Sequence, residues 1–289
     1  MPPATLQNQT KSVHADFYHI EQQGVNQTTV VRDLLNSHLN GHAPAHNLDD
    51  PNVKFQIRSI SQASTNGTVF KAVFGRLRHG ETPEQASEHS DDADVELKPG
   101  HGLVEKNHFL FFSDLNLIVF QRNGHAGRNS HLQAYLNNPT YAHISLSPIL
   151  TQDSYSKLLN GEALKKIEIS LRKPAAALQQ EDTFLKNFID SFQGQSIGSL
   201  KLTLSAERQG ALIESLKEAL VTLSKFGRTR IARATLVDDN VIDLMLDRVT
   251  HKFSVPVQAN GRPTPSDLFS GLANAKDHCS DDLASYFNP

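Results

Sequence analysis

Apolar residues along this chain fall mostly into runs with the two-residue period of strands, interrupted by a few stretches with the 3.6-residue period of helices. The densest stretch is Asn107–Gln121. Two runs rich in aromatic and β-branched residues, His108–Phe112 and Leu117–Gln121, flank Ser113-Asp114-Leu115-Asn116, which reads as a β-hairpin. Both runs are apolar at nearly every position, so both faces are expected to be buried, as in a central pair of a sheet. A glycine-containing basic loop, Arg122–Asn129, follows. Ser130 and Gln133 have capping-box spacing and predict a helix starting at Ser130 and carrying Leu132, Tyr135 and Leu136.

The same reading extends in both directions. Residues 1–12 are polar and expected to fray. Phe17–Ile20 reads as a short strand, and Val30, Val31, Leu34, Leu35 and Leu39 line one face of a helix ended by Gly41. Val53–Ile60 alternates, with Val53, Phe55, Ile57 and Ser59 on one side, and Asn66-Gly67 turns it into Thr68–Arg78. Within residues 79–105, Glu81, Glu84, Glu88, Asp91, Asp92, Asp94 and Glu96 fall among few large apolar groups, which predicts a mobile acidic loop. The break at Asn137-Asn138-Pro139 closes a first domain at residues 1–139.

Beyond it, Ala142–Leu150, Lys165–Lys173 and Leu200–Leu204 alternate as strands. Helices are expected over Ser154–Leu159, after Asp182, and over Ala211–Phe226, where Leu212, Ile213, Leu216, Leu220 and Leu223 share a stripe. Ala232–Val237 and Val241–Val257 read as a hairpin, and a last helix runs from Pro265 to Phe287. The expected fold class is therefore α+β in two domains, residues 1–139 and 140–289, each a mainly antiparallel sheet with helices packed on it. Exposed alternating strands and the long striped helix in the second domain predict a homodimer through that half.

Composition narrows the setting. With 289 residues, 38% hydrophobic and 20% charged, the chain has the make-up of a soluble globular protein. No run reaches the length of a membrane span, so no direct membrane insertion is expected. One cysteine, Cys279, excludes an internal disulfide, and a cytoplasmic location is expected. The net charge of −3 means that any nucleic-acid binding must come from a local patch.

Signatures of phosphate-binding loops, dinucleotide folds, zinc proteases and serine hydrolases are absent from the sequence. His38, His42 and His46 lie four apart, but Gly41 and Pro44 break the helix that would stack them, so no metal site is expected. Glu96-Leu97-Lys98, with Asp91, Asp92 and Asp94 upstream, matches half of a metal-dependent nuclease centre, yet it sits in the acidic loop and not on a rigid strand. Neither a cofactor nor catalytic residues are expected.

Two basic sites stand out. Arg122, His125 and Arg128 surround Gly124 and Gly127 ahead of a helix N-terminus, which suits a phosphate as well as an ordinary solvated loop. Lys225, Arg228, Arg230 and Arg233 cluster after the striped helix with no acid between them, which suits a phosphate backbone or a helix C-terminus.

In order of elements, the hairpin His108–Gln121 with its loop and helix, then Ile144–Leu150, then Lys166–Pro174, resembles the RexA-type phage-exclusion proteins. It is similar, more loosely, to the KwaB-type antiphage proteins. The resemblance runs from Phe17 to about Val257 as hydrophobic pattern, with no catalytic motif to carry over. It implies a dimeric, cytoplasmic protein of bacterial or prophage antiviral defence that binds DNA. Such a protein acts as sensor or partner of an effector, with a second, membrane-bound defence protein as a further partner. A metal-dependent nuclease effector and a protein-interaction scaffold without nucleic-acid binding are the alternatives.

Overall fold

The computed structural model describes residues 9–23, 29–39, 41, 43–48, 50–63, 66–79, 84–85, 93–140, 143–159, 163–172, 199–207, 212, 216–217, 220 and 229–287. Its architecture is α+β with mainly antiparallel sheets. The chain divides into two compact units, one holding residues 1–146 and 250–278, the other 147–249 and 279–289. The single cut expected at residue 139 differs from this, because a late strand and helix return to the first unit.

The first unit is built on an eight-stranded sheet. Its strands are β1 (Thr10–Gln23), β2 (His46–Asn47), β3 (Val53–Gln62), β4 (Val69–Arg78), β7 (Leu103–Phe112), β8 (Leu117–Arg122), β9 (His143–Pro148) and β14 (Thr250–Pro256). They run in the order β14-β1-β8-β7-β4-β3-β2, with β9 also pairing with β1. The expected frayed N-terminus is corrected at Thr10–Ser12, which pair with Ser254–Pro256. The apolar hairpin is central as its pattern demands: Phe109, Phe111, Ile118 and Phe120 enter the main core, and Leu110 and Val119 are buried on the other face. Asn116 closes its turn in the left-handed region, at φ 48°, a conformation that asparagine tolerates better than most residues.

One face of this sheet packs α1 (Thr29–Ser37) and α2 (Asn129–Thr140), through Leu35, Leu132 and Tyr135, over Phe55, Ile57 and Phe74. Tyr135 is fully buried, its hydroxyl donates to the Pro44 carbonyl at 2.7 Å, and burial pushes its pKa up to about 12. α2 continues through Asn137 and Pro139 to Thr140, so the expected break there is corrected. Asn137 instead clamps Ile144, its side chain bonding both backbone groups of that residue at 2.7 and 2.9 Å.

On β3 a bulge lies between Ile57 and Ser59. It reverses the alternation read from the sequence, so that Ile60, not Ser59, joins the core. The expected acidic loop ends early: Leu103–Glu105 belong to β7 and pair with Arg76–Arg78. Within it, β5 (Glu84–Gln85) pairs with β6 (Ala93–Asp94); Glu81, Glu88, Asp91 and Asp92 lie outside the described residues.

The other face of the sheet carries α4 (Pro265–His278), which packs against β14, β7 and β8. Pro265 at its first position and Thr264 as N-cap explain its start: the Asp267 N–H donates to the Thr264 hydroxyl at 3.1 Å, which donates to the Asp267 carboxylate at 2.6 Å. Gly271 faces Phe253 so closely that a Cβ would meet its ring at 2.1 Å. The expected single helix to Phe287 is two, α4 and α5 (Ser280–Phe287), parted at Cys279.

The second unit contains a four-stranded sheet in the order β11-β10-β12-β13, with β10 (Leu164–Arg172), β11 (Ser199–Ser205), β12 (Thr229–Leu236) and β13 (Val241–Asp243). Ile167, Ile169 and Leu171 are buried as their alternation requires. Val241–Val257 is not one strand. The Asp243 carboxylate accepts the N–H groups of Met245 and Leu246 at 3.0 and 3.2 Å, a local turn that ends β13. α3 (Gln152–Leu159) is capped by Asp282, which accepts the Gln152 N–H at 2.8 Å. The helix expected after Asp182 lies outside the described residues, as does most of Ala211–Phe226.

Candidate functional site

The two basic sites read from the sequence are differently disposed in three dimensions. Arg122 at the end of β8 is closed onto Asp16 of β1, its Nε donating at 2.8 Å and a terminal nitrogen to the other carboxylate oxygen. That bond is the main reason the guanidinium pKa is raised. His125 and Arg128 are exposed, but the backbone groups around them are engaged. The His125 N–H donates to the Asn123 side chain at 3.2 Å, and its carbonyl accepts from Arg76 at 3.2 Å.

Arg128 itself is the cap of α2. Its carbonyl accepts the His131 and Leu132 N–H groups at 3.0 and 3.1 Å, and its own N–H donates to His131 Nδ1 at 3.1 Å. The capping box expected from Ser130 and Gln133 is therefore shifted: His131 supplies the reciprocal contact, and Gln133 accepts the Leu146 N–H at 3.0 Å. Gly127 serves packing. A Cβ there would meet the Phe74 ring at 2.6 Å. The loop is thus built as a structural joint, with Arg122 paired and Arg128 and His125 at its surface.

In the second patch, Lys225 and Arg228 lie outside the described residues, and Arg230 is placed on β12 without a described side chain. Arg233 is not a free cation. Its Nε donates to Asp243 at 2.5 Å across the β12–β13 pair, and Glu168 is its partner in register on β10. The patch read as free of acids acquires them from neighbouring strands.

A different basic surface appears on the α4 side of the eight-stranded sheet, as a groove of about 580 Å³. Four cations line it, Lys11 of β1, Arg58 of β3, Lys106 of β7 and Arg262 ahead of α4, against one carboxylate, Glu105. Lys11, Lys106 and Arg262 make no ion pair among the described residues. Arg58 donates to Gln56 at 2.6 Å, and its stem lies over Gly75, where a Cβ would meet it at 2.7 Å. The β3 bulge lets Ser59 line the groove beside Arg58.

Arg262 is held by its turn. Its N–H donates to the Asn260 side chain at 2.9 Å, its carbonyl accepts the Gln258 N–H at 2.9 Å, and Gly261 supplies the required φ of 71°. Because β14 pairs with the start of β1, this turn stands beside Lys11. The strands that carry Lys11 and Arg58 are four places apart in the sheet, roughly 19 Å at about 4.8 Å per strand. The positive charge is therefore strung along a groove and not gathered at one point.

The floor is polar and aromatic. Gln121 of β8 and Asn123 just beyond its end line it together with His108 of β7 and Phe269 of α4. His108 is 6% exposed, its ring meets Phe269 edge-on at 5.2 Å, and burial pulls its pKa below 6.5, with Lys106 acting in the same direction. Sequence reasoning missed this site because its cations are scattered from residue 11 to residue 262, three on separate strands and Arg262 in a turn. Each stands alone in its own segment and gives no local signal of a site.

Among the described residues, no group of three or more His, Cys, Asp or Glu side chains could hold a metal, and Glu96 and Lys98 lie outside any strand. No described helix is long and apolar enough to cross a membrane. Cys279 is buried, and burial raises its thiol pKa, which suits packing more than reactivity.

No curated protein matches this chain. A family model does, over residues 8–265, a span that takes in most of both units and the groove lining up to Pro265, short of Leu268 and Phe269. The chain belongs to that family, DUF6731, a family of unknown function.

Proposed function

We propose that this protein is a non-enzymatic DNA-binding protein that holds the phosphate backbone in the groove on the α4 side of its large sheet. The observation that carries this reading is the string of cations, Lys11, Lys106, Arg262 and Arg58, laid across five neighbouring strands with a single carboxylate among them. A span of roughly 19 Å covers several phosphate repeats of a nucleic-acid strand, whereas a single small anion would be served by converging cations. Amide side chains between the cations suit phosphate and sugar contacts that position without specifying sequence. A role as sensor or partner of an effector in antiviral defence rests on the resemblance in element order alone.

The test is a titration of labelled DNA by fluorescence anisotropy across a series of salt concentrations. Four phosphate contacts give a slope of log affinity against log salt of about −3 for single strands. Replacing Lys11, Lys106 and Arg262 together with Ala should remove about 2 units of that slope and weaken binding to DNAs of any sequence alike. Equal affinity and slope in the native and triple-variant proteins would remove the groove from consideration.

A further inference from the structure

The inner wall of the groove bears on which form of nucleic acid it takes, an inference that rests on the DNA-binding reading above. Gln121 Oε1 accepts the backbone N–H of His108 at 3.0 Å and faces the His108 ring Nδ1 at 2.8 Å. Because a backbone N–H can only donate, the Gln121 atom at that point must be the amide oxygen. Nδ1 must then carry a hydrogen, and in the neutral ring Nε2 is left as a bare acceptor. Burial and the neighbouring Lys106 both favour that neutral ring. Nε2 makes no hydrogen bond among the described residues, and the ring lines the groove beside half-buried Phe269.

A bare acceptor has nothing to offer a phosphate, which also only accepts. It needs a ligand donor. The deoxyribose-phosphate backbone has none, so in DNA the donors are the N–H groups of the bases. A cavity of about 580 Å³ has the size of a site for a small ligand, and a double helix could only rest on its rim. We infer that the groove selects unpaired nucleic acid, seating one nucleobase where His108 Nε2 meets the Phe269 ring while Lys106 and Arg262 hold the flanking phosphates. The acceptor reads a base N–H, and the aromatic ring gives the base an apolar partner of the kind that single-strand binders use.

The experiment compares a labelled DNA strand of about 12 nucleotides, within the range of single-strand site sizes, with its duplex and with the RNA of the same sequence. The native protein should bind the DNA strand at least tenfold more tightly than the duplex, the effect of about one stacked base. Phe269→Leu should lower affinity for the strand about tenfold and leave the duplex unaffected. His108→Phe, checked for its far-UV spectrum, should act in the same way; should it fail to fold, Phe269→Leu still decides. Equal affinity for strand and duplex would overturn this inference while leaving the DNA-binding reading intact. Binding of neither would overturn both. Binding confined to the RNA strand would assign the donor to a ribose hydroxyl and overturn the nucleobase seat.

Discussion

Arg122 and Asp16 form a two-point ion pair across the β8–β1 ladder, with the carboxylate side chain only 12% exposed and the guanidinium 56% exposed. Asp16 and Arg122 are separated by more than a hundred residues in the chain, and their pairing converts the most conspicuous arginine of the basic loop into a cross-strand clamp. Arg122→Ala should therefore cost about 1–2 kcal/mol of stability in urea denaturation, because it strands a nearly buried carboxylate. DNA affinity should stay within about twofold of native at every salt concentration, consistent with a contact that carries no phosphate. A loss of affinity with an unchanged denaturation midpoint would return Arg122 to the interface.

The two glycines of the same loop should respond in opposite ways. At Gly127 an added methyl meets Phe74 at 2.6 Å and Phe55 at 3.4 Å, both in the main core, so Gly127→Ala should destabilise by about 1–3 kcal/mol through overpacking. At Gly124 nothing lies within 4 Å of the new atom, and Gly124→Ala should shift stability by less than about 0.5 kcal/mol. Thermal melts of the two variants side by side make the comparison. Equal melting temperatures would show that Gly127 is not packed as described.

Gly75→Ala separates stability from binding. In a strand, alanine has the smaller backbone entropy cost, by roughly 0.5–1 kcal/mol, and the nearest obstacles are side chains, Arg58 Cγ at 2.7 Å and Val104 at 3.3 Å. Arg58 can yield only by rotating about its own Cα–Cβ bond, which offsets that gain, so the melting temperature should change little. The displaced guanidinium leaves the groove, and the salt slope for single-stranded DNA should fall by about 0.7 unit, one phosphate contact. An unchanged slope would mean that Arg58 does not reach the phosphate.

His108 should make stability depend on pH. Its folded-state pKa lies below 6.5, so the unfolded chain takes up a proton at a pH where the folded protein does not. Stability contributed by the neutral ring is fully present above pH 6.5 and is lost as pH falls from there through the folded-state value. Of the groups facing the ring, Lys106 opposes the charged form, the Gln121 hydrogen bond favours it without outweighing burial, and Phe269 is neutral. His108→Gln should flatten the fall in urea midpoint between about pH 6.5 and 5 relative to native protein. A native profile already flat in that window would contradict a depressed His108 pKa.

Local pattern determined much of this protein without help from the fold. The buried hairpin of β7 and β8, the alternation of Ile167, Ile169 and Leu171 on β10, and the α+β class all follow from periodicity, because burial on a strand or helix face is written in neighbouring residues. Boundaries were legible only where a local signal set them. Pro265 announces α4, but the bulge after Ile57 shows in the sequence only as a shift of the apolar position from Ser59 to Ile60, and Asp243 ends β13 with side-chain bonds that hydropathy does not register.

Charge was the property that sequence could not resolve. Arginines that sit in basic clusters of the chain, such as Arg122 and Arg233, looked free because their partners Asp16 and Asp243 arrive from other strands. The cations without such partners, Lys11, Lys106 and Arg262, looked unremarkable because they stand alone in their own segments. An ion pair or a groove depends on distances of a few ångströms between elements, and only strand order and register set those. The sequence by itself therefore determined which faces are apolar, whereas the tertiary structure decided which charges are neutralised and which converge, since electrostatic energy depends on separation in space and not along the chain.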